Sequence, residues 1–120
     1  MKGIAMGRMS RQKGKRGELS VAHFFQEHGF DAHRSAQFNG KTGQAADVIG
    51  VAGLHLEVKF QERMCLYDWM EQAVRDSEAE GKGNLPTVIH KQNRKDLLVT
   101  MRADDWIKLY EVWQCQQQET

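Results

Sequence analysis

The chain has 120 residues, a formal net charge of +1 and 40% hydrophobic residues. This length gives room for one compact domain with a sizeable core, and the near-neutral total gives no sign of nucleic-acid binding by itself. The two cysteines lie far apart and no stretch approaches the roughly 20 apolar residues of a membrane helix, so the composition excludes a disulfide framework, a zinc ribbon and a membrane protein. We expect a reduced, cytoplasmic protein.

The N-terminal segment is basic. Six cations precede the first acid, Glu18: these are Lys2, Arg8, Arg11, Lys13, Lys15 and Arg16. The segment has scattered glycines and no apolar periodicity, so we expect residues 1–14 to form a flexible arm until they meet a ligand. Such an arm suits phosphate contacts, although a solubilising leader would have the same composition.

An ordered domain is predicted over residues 15–114, followed by a frayed tail over residues 115–120. Apolar spacing predicts a first helix from about Arg16 to His28, ended by Gly29. Three predicted strands then cover residues 30–34, 45–51 and 54–60, with a polar loop from Ser35 to Gln44 before the second.

The second half begins with an amphipathic helix from about Leu66 to Gly81. Two short strands over residues 86–90 and 96–101 and a helix over residues 103–112 follow. A helix between the third and fourth strands indicates a crossover, so we predict an α/β fold with a mixed sheet. Four large side chains on the helices are predicted to lie in the core: Trp69, Met70, Trp106 and Trp113.

Three charged residues give the clearest chemical signal. Apolar residues alternate with polar ones over residues 54–60, which places Glu57 and Lys59 side by side on one face of a strand. A tight reversal between Gly50 and Gly53 would bring Asp47 next to Glu57. Paired carboxylates bind hard cations such as Mg²⁺ or Mn²⁺, and a nearby lysine can activate water at a phosphate. The pattern therefore predicts a site that hydrolyses phosphodiesters.

A solvent-exposed strand face would also carry Glu57 and Lys59, because alternate positions of half-buried strands are polar. Asp47 favours function, since an unpaired acid inside the apolar run of residues 45–51 would be costly. The five histidines lack a paired metal-ligand spacing, and we expect them to lie at the surface or to bind partners rather than a metal.

These residues resemble a known family. Glu18 after Lys15, Arg34-Ser35, Asp47, Glu57-Val58-Lys59 and Gln72 are similar in order and spacing to the PD-(D/E)xK nuclease superfamily, specifically the archaeal-type Holliday junction resolvases. The resemblance covers about residues 13–100. It implies a restriction-endonuclease-like fold with a mixed central sheet flanked by helices, Mg²⁺-dependent cleavage of four-way DNA junctions, and a homodimer. It also suggests a bacterial, archaeal or phage-encoded protein. One departure is Ala46, where the family usually has proline.

The resemblance also implies roles for single residues. Asp47, Glu57 and the backbone carbonyl of Val58 would hold the metal, and Lys59 would position or activate water. Glu18 would complete the site from the first helix, as a further metal ligand. Ser35 and Gln72 match supporting residues of the family, although each also suits an ordinary turn or helix surface.

Further basic residues are candidates for DNA contact. Beside the arm, with Arg8, Arg11, Lys13, Lys15 and Arg16, we assign this role to Arg34 and Lys91. Lys91 follows His90 at a strand end and precedes Arg94 and Lys95, an arrangement that could contact phosphates or could be a solvated turn.

The leading functional prediction is a Holliday junction resolvase. The same metal centre would serve a phage or repair nuclease that acts on flaps, ends or nicked duplex, and the sequence does not separate the two. A catalytically inactive DNA-binding module is a further alternative, against which the intact Asp47, Glu57 and Lys59 argue. A small-molecule metal hydrolase is disfavoured by the basic arm and by the lack of a histidine cluster.

Overall fold

The computed structural model describes the backbone of residues 2–35 and 45–119, and the side chains of residues 12–35 and 45–118. Apart from Ser35, the predicted loop of residues 35–44 therefore lies outside the described residues. In chain order the described elements are α1 (Lys2–Glu27), β1 (His33–Arg34), β2 (Val48–Ile49), β3 (Leu54–Phe60), α2 (Leu66–Glu80), β4 (Leu85–Lys91), β5 (Leu98–Met101) and α3 (Ala103–Glu119). Within these ranges, no helix has the length and apolar character needed to cross a membrane.

The strands form one mixed sheet with the order β1-β2-β3-β4-β5. β3 and β4 are parallel, and the other neighbouring pairs are antiparallel. A parallel pair needs a crossover connection, which α2 provides here. The predicted α/β fold with a mixed sheet is confirmed.

Helices cover both faces of the sheet. On one face, Leu56 and Val58 of β3 join the larger core cluster, to which α1 contributes Val21. On the other face, Trp69 of α2 packs in a smaller cluster with Val88 of β4. Because successive strand residues point to opposite faces, the intervening residues His55, Glu57 and Lys59 face α2.

The close approach of α1 to the sheet depends on Gly17. A Cβ atom at this position would lie 2.8 Å from the ring of Phe60, which is closer than real Cβ contacts allow. Any larger residue would therefore push α1 away from β3.

The predicted reversal between β2 and β3 is confirmed. Val48 pairs with Leu56 across the antiparallel strands, and the amide of Leu54 donates to the Val51 carbonyl at 3.2 Å. Gly50 has φ of 99°, and a Cβ there would collide with the carbonyl oxygen of Asp31. This position therefore requires glycine on two counts.

Several element boundaries differ from the prediction. β1 and β2 are shorter than the predicted strands over residues 30–34 and 45–51, and the first and last helices are longer. Helix α1 begins at Lys2, not near Arg16, so the residues predicted to form a flexible arm are its first turns. The segment is rich in good helix formers such as lysine, arginine and methionine, which form a helix without the apolar periodicity used for the prediction. Similarly, α3 continues to Glu119, through most of the predicted frayed tail.

The predicted burial of the tryptophans is correct on α2 and wrong on α3. Trp69 is 5% exposed, whereas Trp106 is 51% exposed and Trp113 is 55% exposed. Trp106, Tyr110 and Trp113 contact one another along the helix, with ring centroids 5.3 and 5.9 Å apart. The aromatic stripe of α3 is therefore a surface feature.

Candidate active site

Asp47 is fixed against the middle of β3 by two hydrogen bonds. Its backbone amide donates to the Leu56 carbonyl at 2.8 Å, and its Oδ2 accepts from the amide of Val58, also at 2.8 Å. These contacts hold the Asp47 side chain beside Glu57. Geometry thus brings together the two carboxylates that were expected to converge.

Glu57 is a buried carboxyl group, which excludes for this residue the alternative of a solvent-exposed strand face. The residue is 2% exposed, because α2 covers the polar face of β3. The pKa of Glu57 is raised to about 7, mainly by burial and also by the nearby Asp47, while the hydrogen bond from His55 opposes both effects. A buried carboxyl group beside a second carboxylate needs either a proton or a cation to compensate its charge.

Lys59 and Gln72 are in contact, as their common assignment to the site implied. The Lys59 Nζ donates to the Gln72 Oε1 at 3.2 Å, joining the end of β3 to the second turn of α2. Both side chains are half-buried. Gln72 therefore holds the ammonium group of Lys59, which lies two residues from Glu57 on the same face of β3.

Where helix α2 packs on strand β3, the spacing of facing residues along the two elements is nearly the same. Two residues along a strand advance about 6.6 Å and four residues along a helix advance about 6.0 Å, so the two steps nearly coincide. The α2 residues Gln72, Asp76 and Glu80 are each four apart. They lie over the β3 residues Lys59, Glu57 and His55, which are each two apart.

Three of these residues were missed in the sequence: His55, Asp76 and Glu80. His55 is fully buried, which also corrects the expectation that the histidines lie at the surface or bind partners. Its Nε2 lies 3.0 Å from Glu57 Oε1, and its Nδ1 lies 2.8 Å from Glu80 Oε1. The coincidence of a two-residue polar period in β3 with a four-residue polar period in α2 was the signal that could have revealed them.

The charge state of His55 follows from these neighbours. Burial lowers the pKa of an imidazole, but here the hydrogen bonds and negative charges of Glu57 and Glu80 outweigh it and raise the pKa above 6.5. An imidazole can donate from both nitrogens only as the imidazolium ion. His55 thus lies between two acids that both favour its protonated form.

Glu18 and Arg34 pair with each other. The Arg34 Nε donates to Glu18 Oε1 at 2.9 Å, and both side chains are largely buried between α1 and β1. Arg34 lies opposite Val48 in the sheet, one residue after Asp47. The pair therefore connects α1 to β1, the neighbour of the strand that follows Asp47.

Ser35 stabilises the chain next to Asp47. Its backbone amide donates to the Asp47 carbonyl at 3.1 Å, and its hydroxyl donates to the Ala46 carbonyl. The serine is 7% exposed. Its observed contacts are therefore those of a residue that fixes the backbone around the first acid.

The predicted DNA-contacting residues lie in three places, one of which is β1, where Arg34 is largely buried and paired with Glu18. Lys15 and Arg16 are exposed on α1 and Lys13 is half-buried there, while the side chains of Arg8 and Arg11 lie outside the described residues. Lys91 is at the end of β4, where its Nζ donates to the Gln92 carbonyl at 3.3 Å.

The comparisons with known proteins agree with this geometry. A family profile described as "Phage putative PDDEXK endonuclease" matches residues 9–119. The chain belongs to this family. Among solved structures it is similar to Hjc, a Holliday junction resolvase from the archaeal hyperthermophile Archaeoglobus fulgidus, with a TM-score of 0.56 and 26% identity over 73% of this chain and 76% of that chain. A search of curated proteins gives no match.

The family and the fold class predicted from the sequence are thereby confirmed. The donor set also suits a divalent cation. Asp47 and Glu57 offer hard oxygen ligands, and the ligand atoms of His55, Glu57 and Asp76 lie within 4.8 Å of one another. An ion near Glu57 would compensate the buried negative charge.

Proposed function

We propose that this PDDEXK endonuclease cuts DNA in a reaction that depends on Mg²⁺ or Mn²⁺, and that its substrate is the four-way junction. The observation that supports this most is the convergence of Asp47 with Glu57 on β3, the strand that also carries Lys59. The similarity to an archaeal Holliday junction resolvase supports the choice of substrate.

In this proposal Asp47, Glu57 and the backbone carbonyl of Val58 hold the divalent ion. Bound there, the ion would neutralise charge on the scissile phosphate and lower the pKa of water. The hydrogen bond from the Val58 amide keeps the Asp47 carboxylate against β3. The protein therefore holds this ligand in place before the substrate arrives.

Lys59 orients the attacking water or contacts the phosphate. Its ammonium is held by Gln72, so the side chain loses little conformational freedom when DNA binds. Gln72 acts on the reaction through Lys59.

Glu18 and Ser35 support the same metal site. Glu18 lies on α1 and pairs with Arg34. It is less than one helical turn from the exposed cations Lys15 and Arg16 on the same helix. We propose that Glu18 adds negative charge to the metal site and that Ser35 fixes the Asp47 backbone near the scissile strand.

The DNA backbone would lie along the basic surface of α1 and reach Lys91 at the end of β4. Exposed lysine and arginine on one helix gain affinity from counterion release. The N-terminal turns of α1, with Arg8 and Arg11, extend this set of cations. These contacts would position any DNA without reading its sequence.

We further propose that two copies act together, since one chain has one such centre and resolution of a junction requires two nicks. Symmetric pairs are the commonest way to duplicate a site. The exposed aromatic stripe of α3, formed by Trp106, Tyr110 and Trp113, is the surface that we assign to this contact.

The decisive experiment offers the protein labelled four-way junction, flap and linear duplex in parallel. With Mg²⁺ or Mn²⁺ we expect paired, symmetric nicks in the junction and little cutting of the other two, and with chelator no cutting at all. Preferred cleavage of the flap would instead assign the protein to the nucleases of flaps, ends and nicks. Binding to all three without cleavage under any metal would identify an inactive DNA-binding module.

A further inference from the structure

Two residues, His55 and Glu80, form a hydrogen-bonded chain that ends on one oxygen of Glu57. His55 lies on the same face of β3, and its Nε2 is 3.0 Å from Glu57 Oε1. Glu80, two turns along α2 from Gln72, is 2.8 Å from the other ring nitrogen. The sequence Glu80, His55, Glu57 is thus a continuous hydrogen-bonded line from the end of α2 into the site.

The line fixes both the tilt and the rotation of the imidazole. One contact alone would leave the ring free to turn about the bond to its partner, whereas two contacts at opposite nitrogens define its plane. His55 is fully buried and the Glu80 side chain is 16% exposed, so water competes weakly for these bonds. The imidazole is therefore a rigid donor aimed at one oxygen of Glu57.

The same contacts argue against His55 as a metal ligand. Each of its nitrogens already faces a carboxylate oxygen at hydrogen-bond distance, and a metal ion would have to replace a proton at one of them. A carboxylate that accepts a hydrogen bond at one oxygen still offers its other oxygen to a cation. Metal-binding carboxylates are commonly oriented by such outer hydrogen bonds, and loss of the outer partner weakens metal binding.

We propose that His55, fixed by Glu80, is the positioning residue that directs the second carboxylate oxygen of Glu57 toward the divalent ion. The inference rests on the proposed function, because it assumes that Glu57 binds the metal. It assigns His55 and Glu80 an effect on metal affinity, and it assigns them no contact with DNA or with the reacting phosphate.

The test measures Mn²⁺ binding by calorimetry and the Mn²⁺ concentration that gives half-maximal cleavage. His55→Ala should weaken both by about tenfold to a hundredfold, the usual effect of losing an outer hydrogen bond. His55→Gln retains one N–H donor and should recover part of the affinity. At saturating Mn²⁺ the cleavage rate of each variant should return close to that of the wild type, because the reacting groups are unchanged.

Two further variants separate positioning from folding. Glu80→Gln keeps the shape of the helix end but weakens the hold on the imidazole, so its Mn²⁺ affinity should fall between those of wild type and His55→Ala. His90→Gln is the matched control: His90 is a histidine on the neighbouring strand, 4% exposed and bonded to Thr100 Oγ1 at 2.8 Å, and its loss should leave Mn²⁺ binding unchanged. If His55→Ala does not fold, His55→Gln and Glu80→Gln decide the question.

Three results would overturn the inference in distinguishable ways. Wild-type affinity in both His55→Gln and Glu80→Gln, with Mn²⁺ binding intact in the wild type, would remove the positioning role and leave the proposed nuclease function standing. A directly bound imidazole nitrogen in the electron spin-echo spectrum of the Mn²⁺ complex, absent in His55→Gln, would make His55 a ligand. Absence of Mn²⁺ binding and cleavage in the wild type would reject the proposed function itself.

Discussion

Helix α2 covers three titratable side chains of β3, whereas α3 leaves most of its large aromatic side chains in solvent. Glu57 is 2% exposed beneath α2, and Trp106 is 51% exposed on α3. Both arrangements cost free energy in the isolated chain, because charge is removed from water in one and apolar surface is left in water in the other. Positions that depart from the usual division of residues in this way are where function is expected. The buried Glu57 carboxyl group suits the proposed divalent cation. The exposed aromatic side chains of α3 suit the proposed contact with a second copy of the chain.

The largest expected effect is at the buried site. Asp47→Asn keeps the shape of the side chain but removes its charge, and we expect cleavage of a four-way junction to fall about a thousandfold or more, since the metal supplies several kcal/mol. Single-turnover cleavage in Mg²⁺ measures this. Asp104→Asn, on the exposed first turn of α3, is the control with the same chemical change. Wild-type cleavage by Asp47→Asn would show that the buried acids are merely structural.

A second change distinguishes the proposed role of Lys59 in activating water from the proposed metal binding by Glu57 on the same strand. Lys59→Gln should lower the rate of cleavage by about a hundredfold to ten-thousandfold, the usual range for a group that assists proton transfer. Because Lys59 is not assigned to the metal, Mn²⁺ binding measured by calorimetry should persist. Equal loss of binding and rate would place Lys59 in the metal site instead.

The exposed helix offers the complementary test. Replacing Trp106 and Trp113 together by glutamine should weaken self-association at least about thirtyfold, since buried tryptophans are typical hot spots of 2 kcal/mol or more. Sedimentation across a concentration series measures the change. Tyr67→Gln is the control, because Tyr67 is 86% exposed and lies on α2. A wild-type chain that stays monomeric, both free and on junction DNA, would show that α3 has a different partner.

The cost of the buried charge can be measured without DNA. Folded Glu57 holds its proton up to about pH 7, whereas a free glutamate releases it near 4.5, so the folded state binds more protons. Stability of the metal-free protein should therefore fall as pH rises from about 4.5 to about 7, and the raised pKa of His55 acts in the same direction.

Glu57→Gln should remove much of this dependence and stabilise the metal-free protein by about 1–3 kcal/mol at pH 8. Denaturant unfolding in chelator at pH 5 and pH 8 makes the comparison, with the exposed Glu71→Gln as control. A lower stability of Glu57→Gln at pH 8 would mean that the burial of this carboxylate is not costly.

The N-terminal cations provide a third case, in which a run of positive charge lies at the start of α1. Deletion of residues 1–10 removes Lys2 and Arg8, and should weaken binding to every DNA form alike. The slope of log affinity against log salt should fall by about 2, one unit for each lost phosphate contact. An unchanged slope would show that this part of α1 does not touch DNA.

The sequence was sufficient to predict the β2–β3 hairpin and its acids, because a period-two strand and the glycines at Gly50 and Gly53 act locally. It was also sufficient for Lys59 and Gln72, although only the resemblance linked them. Burial of Glu57 was not predictable from the strand alone, since polar alternation looks the same whether water or another polar face covers it. His55, Asp76 and Glu80 follow from the packing of α2 on β3, which is a tertiary property.

The aromatic residues of α3 show that burial of an apolar face is also not predictable from the sequence pattern alone. Spacing such as that of Trp106, Tyr110 and Trp113 predicts an apolar stripe, but the stripe does not specify whether it packs within its own chain. The early start of α1 was missed for a different reason: the prediction relied on apolar periodicity, and helix propensity alone gives no periodic signal.

The hydrogen bonds of Ser35 have a consequence for how the protein can be altered. They join Ser35 to Ala46 and Asp47, so the two ends of the segment 36–44 are tied together independently of what lies between them. The entropy of closing a loop grows only slowly with its length, so insertions between tied ends cost little. Asp47 should therefore keep its place against β3 when the number of residues between Ser35 and Ala45 is changed.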